Sequence, residues 1–474
     1  MGEDLDLVEQ SASDLSRLIA ARQISPSEVM AAHVARIRAV NGDVNAIVSL
    51  RDADDLMADA RAADDTPRAG WLHGIPLAVK DLVATKGLRT TWGSPLYADH
   101  VPMADDLVAA RMRAAGAIFI GKTNVPEWGQ GSHSFNPVFG VTRNPYDLTR
   151  SAGGSSGGAA AALAARMLPV ADGSDMMGSL RNPAAFCNVY GFRPSWGLVP
   201  QDAEGDTFLS TLSTEGPMGR TVEDVAHLLG VLAGPNAGVP FGRQAGDFIT
   251  GLDRPVAGMR IGWLGDWGGA YGCEPGILEL CEAGLQVFTD QGAIVEPVAA
   301  PYPAEKLWHA WVTLRAMLNA GAKRAIYDVA ERRAMLKPET VWEIEQGLNL
   351  GAQAVYEASV IRSRWYARAA RLFETYDALV LPAAQVWPFP AEWRWPRRIG
   401  DRMMDTYHRW MEVVIPASLA GLPALALPCG FGANGLPMGM QLMGPVGGDG
   451  SVLAMGQAYH RATDWPGRRP PVLG

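Results

Sequence analysis

Apolar positions along this chain switch between two spacings, and the switching predicts the fold class. After Ser25-Pro26-Ser27-Glu28, a capping box with proline at the first helical position, Met30, Val34 and Ile37 recur at helical spacing. Residues 1 to about 65 read as helical. The apolar run Gly74-Ile75-Pro76-Leu77-Ala78-Val79 then reads as a short strand that delivers Lys80 at its end. A helix over 106–115, stopped by Gly116, leads into a second buried strand at 117–120. An alanine-rich helix follows at 159–167, and strand patterns return at 260–264, 378–381 and 423–427. Interleaved signals of this kind predict an α/β fold, a mixed β-sheet core covered by helices on both faces. No repeat, linker or composition break interrupts the pattern, so residues 1–474 are expected to form a single domain.

Composition narrows the function classes. Apolar residues make up 48% and charged residues 19% of the 474, an ordinary globular balance. A net charge of −9 argues against the basic surface that nucleic-acid binding requires. No run approaches the ~20 apolar residues of a membrane span. The start, Met1-Gly2-Glu3-Asp4, is acidic and lacks a signal peptide. Cys187, Cys273, Cys281 and Cys429 are scattered without a CxxC, which fits free thiols in a reducing compartment. A cytoplasmic protein is expected, with no membrane or nucleic-acid partner. Only six of the 41 basic residues are lysines. A lysine in an apolar strand therefore asks for a specific reason, and burial lets lysine, unlike arginine, give up its proton.

Gly116 to Thr123 fits the phosphate-loop pattern GxxxxGK[ST] letter for letter. Its variable positions are apolar, however, and would be buried as a strand, while Pro126 prevents the long helix that should follow. A nucleotide site is not expected there. More informative is Ser151-Ala152-Gly153-Gly154-Ser155-Ser156-Gly157-Gly158, followed by Gly173-Ser174-Asp175-Met176-Met177-Gly178-Ser179-Leu180-Arg181. The first stretch has the composition of a flexible linker, but it runs straight into a helical Ala/Leu segment, so its glycines are better read as holding a tight backbone beside a site. The second places a serine on a turn where backbone N–H groups can converge on an oxyanion. Neither stretch holds a histidine, and no GxSxG elbow occurs anywhere in the chain. A nucleophilic serine here needs another base, and Lys80 is the candidate.

Lys80, the Gly153–Gly158 stretch, and Asp175-x-x-Gly178-Ser179-x-Arg181 together resemble the amidase signature family. The similarity continues through Gly121-Lys122-Thr123-Asn124, Gly191-Phe192-Arg193-Pro194-Ser195, Glu215-Gly216-Pro217-Met218-Gly219-Arg220, Gly421-Leu422-Pro423-Ala424 and Gly435-Leu436-Pro437-Met438-Gly439, most of the chain. The resemblance implies Ser179 as nucleophile, Ser155 after a cis peptide bond as proton relay, and Lys80 as ultimate base. It implies an oxyanion hole from the backbone N–H groups of Met176, Met177, Gly178 and Ser179. Ser156, Asp175 and Arg181 would support the two loops. An acyl-enzyme on Ser179, resolved by water, would cleave C–N acyl bonds with no metal and no cofactor. One position departs from the family, which usually has Gly-Gly-Ser where this chain has Met177-Gly178-Ser179. Methionine keeps the N–H but cannot cheaply take a positive φ, so the pocket's shape is in question more than the chemistry.

The substrate is less legible. Residues 385–411 carry Trp387, Phe389, Trp393, Trp395, Tyr407 and Trp410. They read either as a cover over the core or as a hydrophobic mouth for an aryl or bulky substrate. An aryl amide or carbamate (a urethane) is the preferred small-molecule substrate, turned over by a monomer or homodimer. Two other functions compete: the glutaminase subunit of a transamidation complex, which the aromatic segment disfavours, and a binding module that has lost catalysis, which the joint retention of Lys80, Ser155 and Ser179 disfavours. His133 and Cys187, near the motifs in sequence, read as structural.

Overall fold

The computed structural model describes residues 5–202 and 206–473, so the first four residues of the predicted helical segment and the last residue of the predicted domain lie outside it. Eight strands form a mixed sheet. Their spatial order is Ile294–Pro297, Arg260–Trp263, Ala378–Pro382, Pro437–Met443, Ala424–Phe431, Tyr190–Arg193, Thr214–Gly219, Val170–Asp175. The first three pair in parallel and every later pair is antiparallel. Alternation along the central Pro437–Met443 strand shows how both faces are covered. Met440 lies against Gly284 of the Ile277–Asp290 helix, where an added methyl would come within 3.0 Å of the Cys429 sulfur. The next residue, Gln441, points the other way and bonds Arg181 of the short Arg181–Phe186 helix. The sheet and its helices are thus arranged as the hydrophobic pattern predicts.

A smaller sheet positions the lysine. Pro76–Lys80 runs parallel to Ile118–Thr123, which pairs on its other side with Ile47–Val48. All five residues of Pro76–Lys80 are buried, as their apolar run demands. Gly116 does stop the helix Leu107–Ala114. It sits at φ +95°, where a Cβ would approach the His73 Cα to 2.7 Å. The alanine-rich helix is shorter than its composition suggests, Gly157–Ala164 rather than 159–167, and Arg166 takes φ 62° just beyond it.

Before the small sheet come helices Ala12–Ala20 and Pro26–Val44, with Ala53–Asp65 between its first two strands. The predicted capping box closes as written: the Ser25 hydroxyl accepts from the Glu28 N–H at 3.2 Å, and the Ser25 N–H donates to the Glu28 carboxylate at 2.7 Å. Between strands Ile294–Pro297 and Ala378–Pro382 the chain makes a helical excursion, Ala304–Tyr327, Pro338–Leu348 and Ala352–Leu372. Among the described residues no helix is long and apolar enough to cross a membrane.

Candidate active site

Lys80 ends its strand fully buried, and its backbone is anchored before its side chain is used. The Lys80 N–H donates to both oxygens of Asp172, at 3.1 and 3.2 Å, which ties the small sheet to the Val170–Asp175 edge of the large one. The ammonium nitrogen then lies 2.9 Å from Ser155 Oγ, 2.9 Å from Ser156 Oγ and 2.8 Å from Ser174 Oγ. Burial pushes its pKa down to about 8 against the opposing pull of Glu215, Asp172 and Asp175. Near neutrality a usable fraction of this lysine is therefore unprotonated, which is not so of an exposed one.

Ser155 follows a cis peptide bond from Gly154. The Ser156 N–H donates to the Ser179 carbonyl at 3.1 Å, so the two Gly/Ser loops are stitched backbone to backbone. The second loop is built around Asp175. Its carboxylate accepts from the Gly178 N–H at 2.9 Å and the Leu180 N–H at 3.2 Å, folding the chain back on itself at Ser179. It also accepts from Arg181 Nε and Nη2, both at 2.9 Å, and from Arg193 Nη1 at 3.3 Å. Burial alone would raise this carboxyl; Arg181 and Arg193 overcome that and hold it well below the usual carboxylate range. The remaining Arg181 donors reach Val414 O at 3.0 Å, Ser418 Oγ at 2.8 Å and Gln441 Oε1. The fully buried guanidinium thereby locks the loop to the sheet.

Not all four N–H groups of the turn are free. The Gly178 N–H is spent on Asp175, whereas the N–H groups of Met176, Met177 and Ser179 have no partner among the described residues. Positive φ falls on Gly178 at +77°, and Met177 is not among the left-handed residues. Methionine is therefore accommodated without backbone strain. Its side chain is 2% exposed and packs in the main core cluster. Met176 is only partly buried, and Arg315 Nη1 lies 3.2 Å from its sulfur.

Arg315 introduces a network that sequence reading missed. It pairs with Glu343 at 2.5 Å and donates to the Tyr407 hydroxyl at 2.9 Å. Tyr407 donates on to Glu343 at 2.9 Å, and the Gln130 and Asn319 amides each donate to the same carboxylate at 2.7 Å. On the same helix, Val312, Thr313 and Ala316 line a cavity of about 210 Å³ together with Trp308, Trp342 and His408. The 385–411 segment contributes less to it than its composition suggests. Phe389 and Trp410 are buried against each other, with ring centroids 5.3 Å apart, and Phe389 also packs on His133. Trp393, by contrast, is 52% exposed.

The other candidates fall into place as supports. His133 spans Ser151 Oγ at 2.7 Å and Ala391 O at 3.0 Å, and burial lowers its pKa to about 4. Cys187 is buried with its thiol pushed up by desolvation, and all four cysteines are free. The phosphate-loop look-alike is the buried strand Ile118–Thr123, in which Lys122 Nζ donates to Val83 O at 2.6 Å and Thr85 Oγ1 at 2.9 Å.

Comparison with known proteins gives the same frame. The family model described as Amidase matches residues 28–453. This chain belongs to the amidase signature family. By family it is a hydrolase of C–N bonds. It is 35% identical to a glutamyl-tRNA(Gln) amidotransferase subunit from Roseiflexus sp. (strain RS-1), over 98% of this chain and 99% of that one. Among solved structures it superposes on a bacterial aryl acylamidase of the amidase signature enzymes with a TM-score of 0.90 at 30% identity, covering 97% of this chain and 99% of that one. The peptide amidase of Stenotrophomonas maltophilia gives a TM-score of 0.79 at 28% identity, over 98% and 99%. Within this amidase frame, sequence reading quoted Ser174, Arg193 and Glu215 in its motifs without giving them a role, and it missed Asp172 beside the lysine.

Proposed function

We propose that this amidase cleaves its substrate through an acyl-enzyme on Ser179, with Ser155 relaying the proton and Lys80 as the base. The observation that carries the reading is the lysine nitrogen held by three serine hydroxyls in a buried pocket. A neutral amine has two N–H groups and one lone pair. One N–H meets Ser156 Oγ, the other is shared by the Ser174 hydroxyl and the Ser174 carbonyl at 3.3 Å, and the lone pair takes the Ser155 hydroxyl. Ser155, having given its proton to Lys80, takes the one on Ser179 as Ser179 attacks the carbonyl carbon. The tetrahedral oxyanion is met by the uncommitted N–H groups of Met176, Met177 and Ser179, while Asp175 holds Gly178 so that the turn keeps its shape. The proton returns through Ser155 to the departing nitrogen, and water then attacks the acyl-enzyme by the same relay.

For the substrate we infer a neutral aryl or bulky hydrophobic amide, or the corresponding carbamate. A free amino acid would bring an ammonium and a carboxylate, and recognising it takes unspent charges of both signs. Beside Met176, Arg315 and Glu343 neutralise each other. The cavity that Glu343 borders carries Trp308 and Trp342 beside Thr313, Gln346 and His408, and its two indoles favour a flat apolar group. The similarity to a glutamyl-tRNA(Gln) amidotransferase supports a second reading, a glutaminase that passes ammonia to partner proteins. Assaying the purified chain on 4-nitroacetanilide, p-nitrophenyl carbamates, primary amides and glutamine separates the two. Turnover of anilide or carbamate by the isolated chain is the expected result. Glutamine hydrolysis alone, restored only by co-purifying partners, would overturn the aryl reading.

A further inference from the structure

Glu215 takes part in none of the steps above, yet its position ties it to the lysine. It lies on Thr214–Gly219 directly opposite Ser174 in the antiparallel register. Opposite residues in such a pair share one face, with Cβ atoms about 4.5–5.5 Å apart. Ser174 turns its hydroxyl to Lys80 Nζ at 2.8 Å, so the Glu215 side chain starts from the face that holds the ammonium. One carboxylate oxygen accepts from Gln201 Nε2 at 3.0 Å, and the other is buried without a hydrogen-bond partner. A buried carboxylate oxygen left unpaired is costly and calls for an explanation.

The other charges near Lys80 are already engaged. Asp175 is held by Arg181 and Arg193, and Asp172 accepts the Lys80 backbone N–H, with Lys122 as its nearby cation. Asp106 lines the cavity of about 250 Å³ that Glu215 also borders and adds negative charge there. Glu215 has no salt bridge within 4 Å among the described residues, to Lys80 or to any other cation, and Lys80 is the one positive charge that acts on it from across the strand pair.

We propose that Glu215 is the electrostatic partner of Lys80, a positioning residue that sets the pH at which the lysine accepts a proton and stabilises the ammonium once formed. The proposal rests on Lys80 being the base, as argued above. Both groups are displaced toward neutrality, Glu215 up to about 7 by burial and Lys80 down to about 8, so the two titrate as a pair. With Glu215 ionised, Lys80 holds its proton more tightly. Removing that charge frees the lysine at lower pH and makes it a weaker base. A unit charge at ~6–8 Å and an effective dielectric of ~20 moves a pKa by about 1–2 units. With the proton about half transferred at the transition state, the plateau rate should fall about 3- to 10-fold.

The test is the pH dependence of inactivation by a serine-directed fluorophosphonate, a readout independent of the substrate reading, in the full chain and in Glu215→Gln, Gln201→Met and Lys80→Met. Glu215→Gln is expected to move the acid limb 1–2 pH units lower and reduce the plateau. Gln201→Met removes a donor that favours the ionised carboxylate, and is expected to move the limb the same way by a smaller step. A folded Glu215→Gln enzyme with a lower plateau but an unmoved limb would make Glu215 merely structural and overturn the proposal. If that variant does not fold, an unmoved limb in Gln201→Met overturns it instead. Lys80→Met distinguishes the two failures: normal labelling there would sink the base itself, whereas loss of labelling beside an unmoved Glu215→Gln limb sinks only the partner.

Discussion

Replacing Lys80 with methionine should separate catalysis from stability, because the proposed base promotes turnover while its burial costs the fold. With a pKa of about 8, about a quarter of the enzyme carries neutral Lys80 at pH 7.5 and about nine-tenths at pH 9. The rate should therefore rise about fourfold between those values and then level. Removing the base costs about 10²–10⁴ in kcat/KM. For stability the lysine counts the other way, because burying it charged is a cost. An unfolded lysine titrates near 10.4 and the folded one near 8, so the unfolded chain binds more protons between these values and stability climbs with pH across that window. Below pH 8 the buried lysine costs the fold about 3 kcal/mol, which methionine relieves. Against this, three serine hydroxyls lose a shared donor at about 1 kcal/mol each. The two nearly cancel, so Lys80→Met should melt within a few degrees of the parent at pH 7 while losing nearly all turnover. Thermal unfolding and kcat/KM, each followed from pH 6 to 10, test this. Lys80→Arg should be as inactive as Lys80→Met, since arginine stays charged. Wild-type rates in Lys80→Arg would refute the argument, as would a flat pH profile between 6.5 and 9.

Asp175→Asn leaves the buried Arg181 and Arg193 without their shared carboxylate and should destabilise the protein by about 3–5 kcal/mol, seen as a lower denaturation midpoint. Because the folded pKa of Asp175 is depressed, its contribution is present above the unfolded value near 4 and disappears as pH falls through the folded value, so the parent and variant melting curves should converge in strong acid. Met177→Gly removes a core side chain and should cost about 2–5 kcal/mol, while leaving the ratio of kcat/KM for acetanilide and benzanilide unchanged. A ratio shifted tenfold with an unchanged melting temperature would instead put that side chain in the acyl pocket.

How far the sequence could be read follows from which contacts are local. The layered sheet was legible because strands such as 260–264 and 378–381 are short apolar runs between helical repeats. Lys80 was legible because a lysine does not belong at the end of an apolar strand without cause. The Gly/Ser loops were legible because their spacing matches a family pattern. What stayed hidden depends on distant pairing. Asp172 reaches the Lys80 backbone across 92 residues, and Arg315 reaches Met176 across 139. Nothing in the local composition of either segment announces its partner. Met177 shows a subtler limit: the loop's positive φ belongs to Gly178 alone, which only the backbone geometry reveals. The aromatic run at 385–411 stayed open between two readings for a related reason. Composition placed aromatic rings in that segment but not on a face, and the cavity beside Arg315 draws its tryptophans from helices 304–327 and 338–348 instead.

The central claim is that Ser179 carries the acyl group, and mass mapping of a covalent adduct tests it most directly. The purified chain would be treated with a fluorophosphonate, digested, and its modified residue identified, alongside Ser179→Ala and Ser155→Ala. The account predicts one adduct, on Ser179, with none in Ser179→Ala and slow labelling in Ser155→Ala, whose nucleophile survives without its relay. An adduct on Ser155 or elsewhere, or amide hydrolysis by Ser179→Ala near the parent rate, would contradict it.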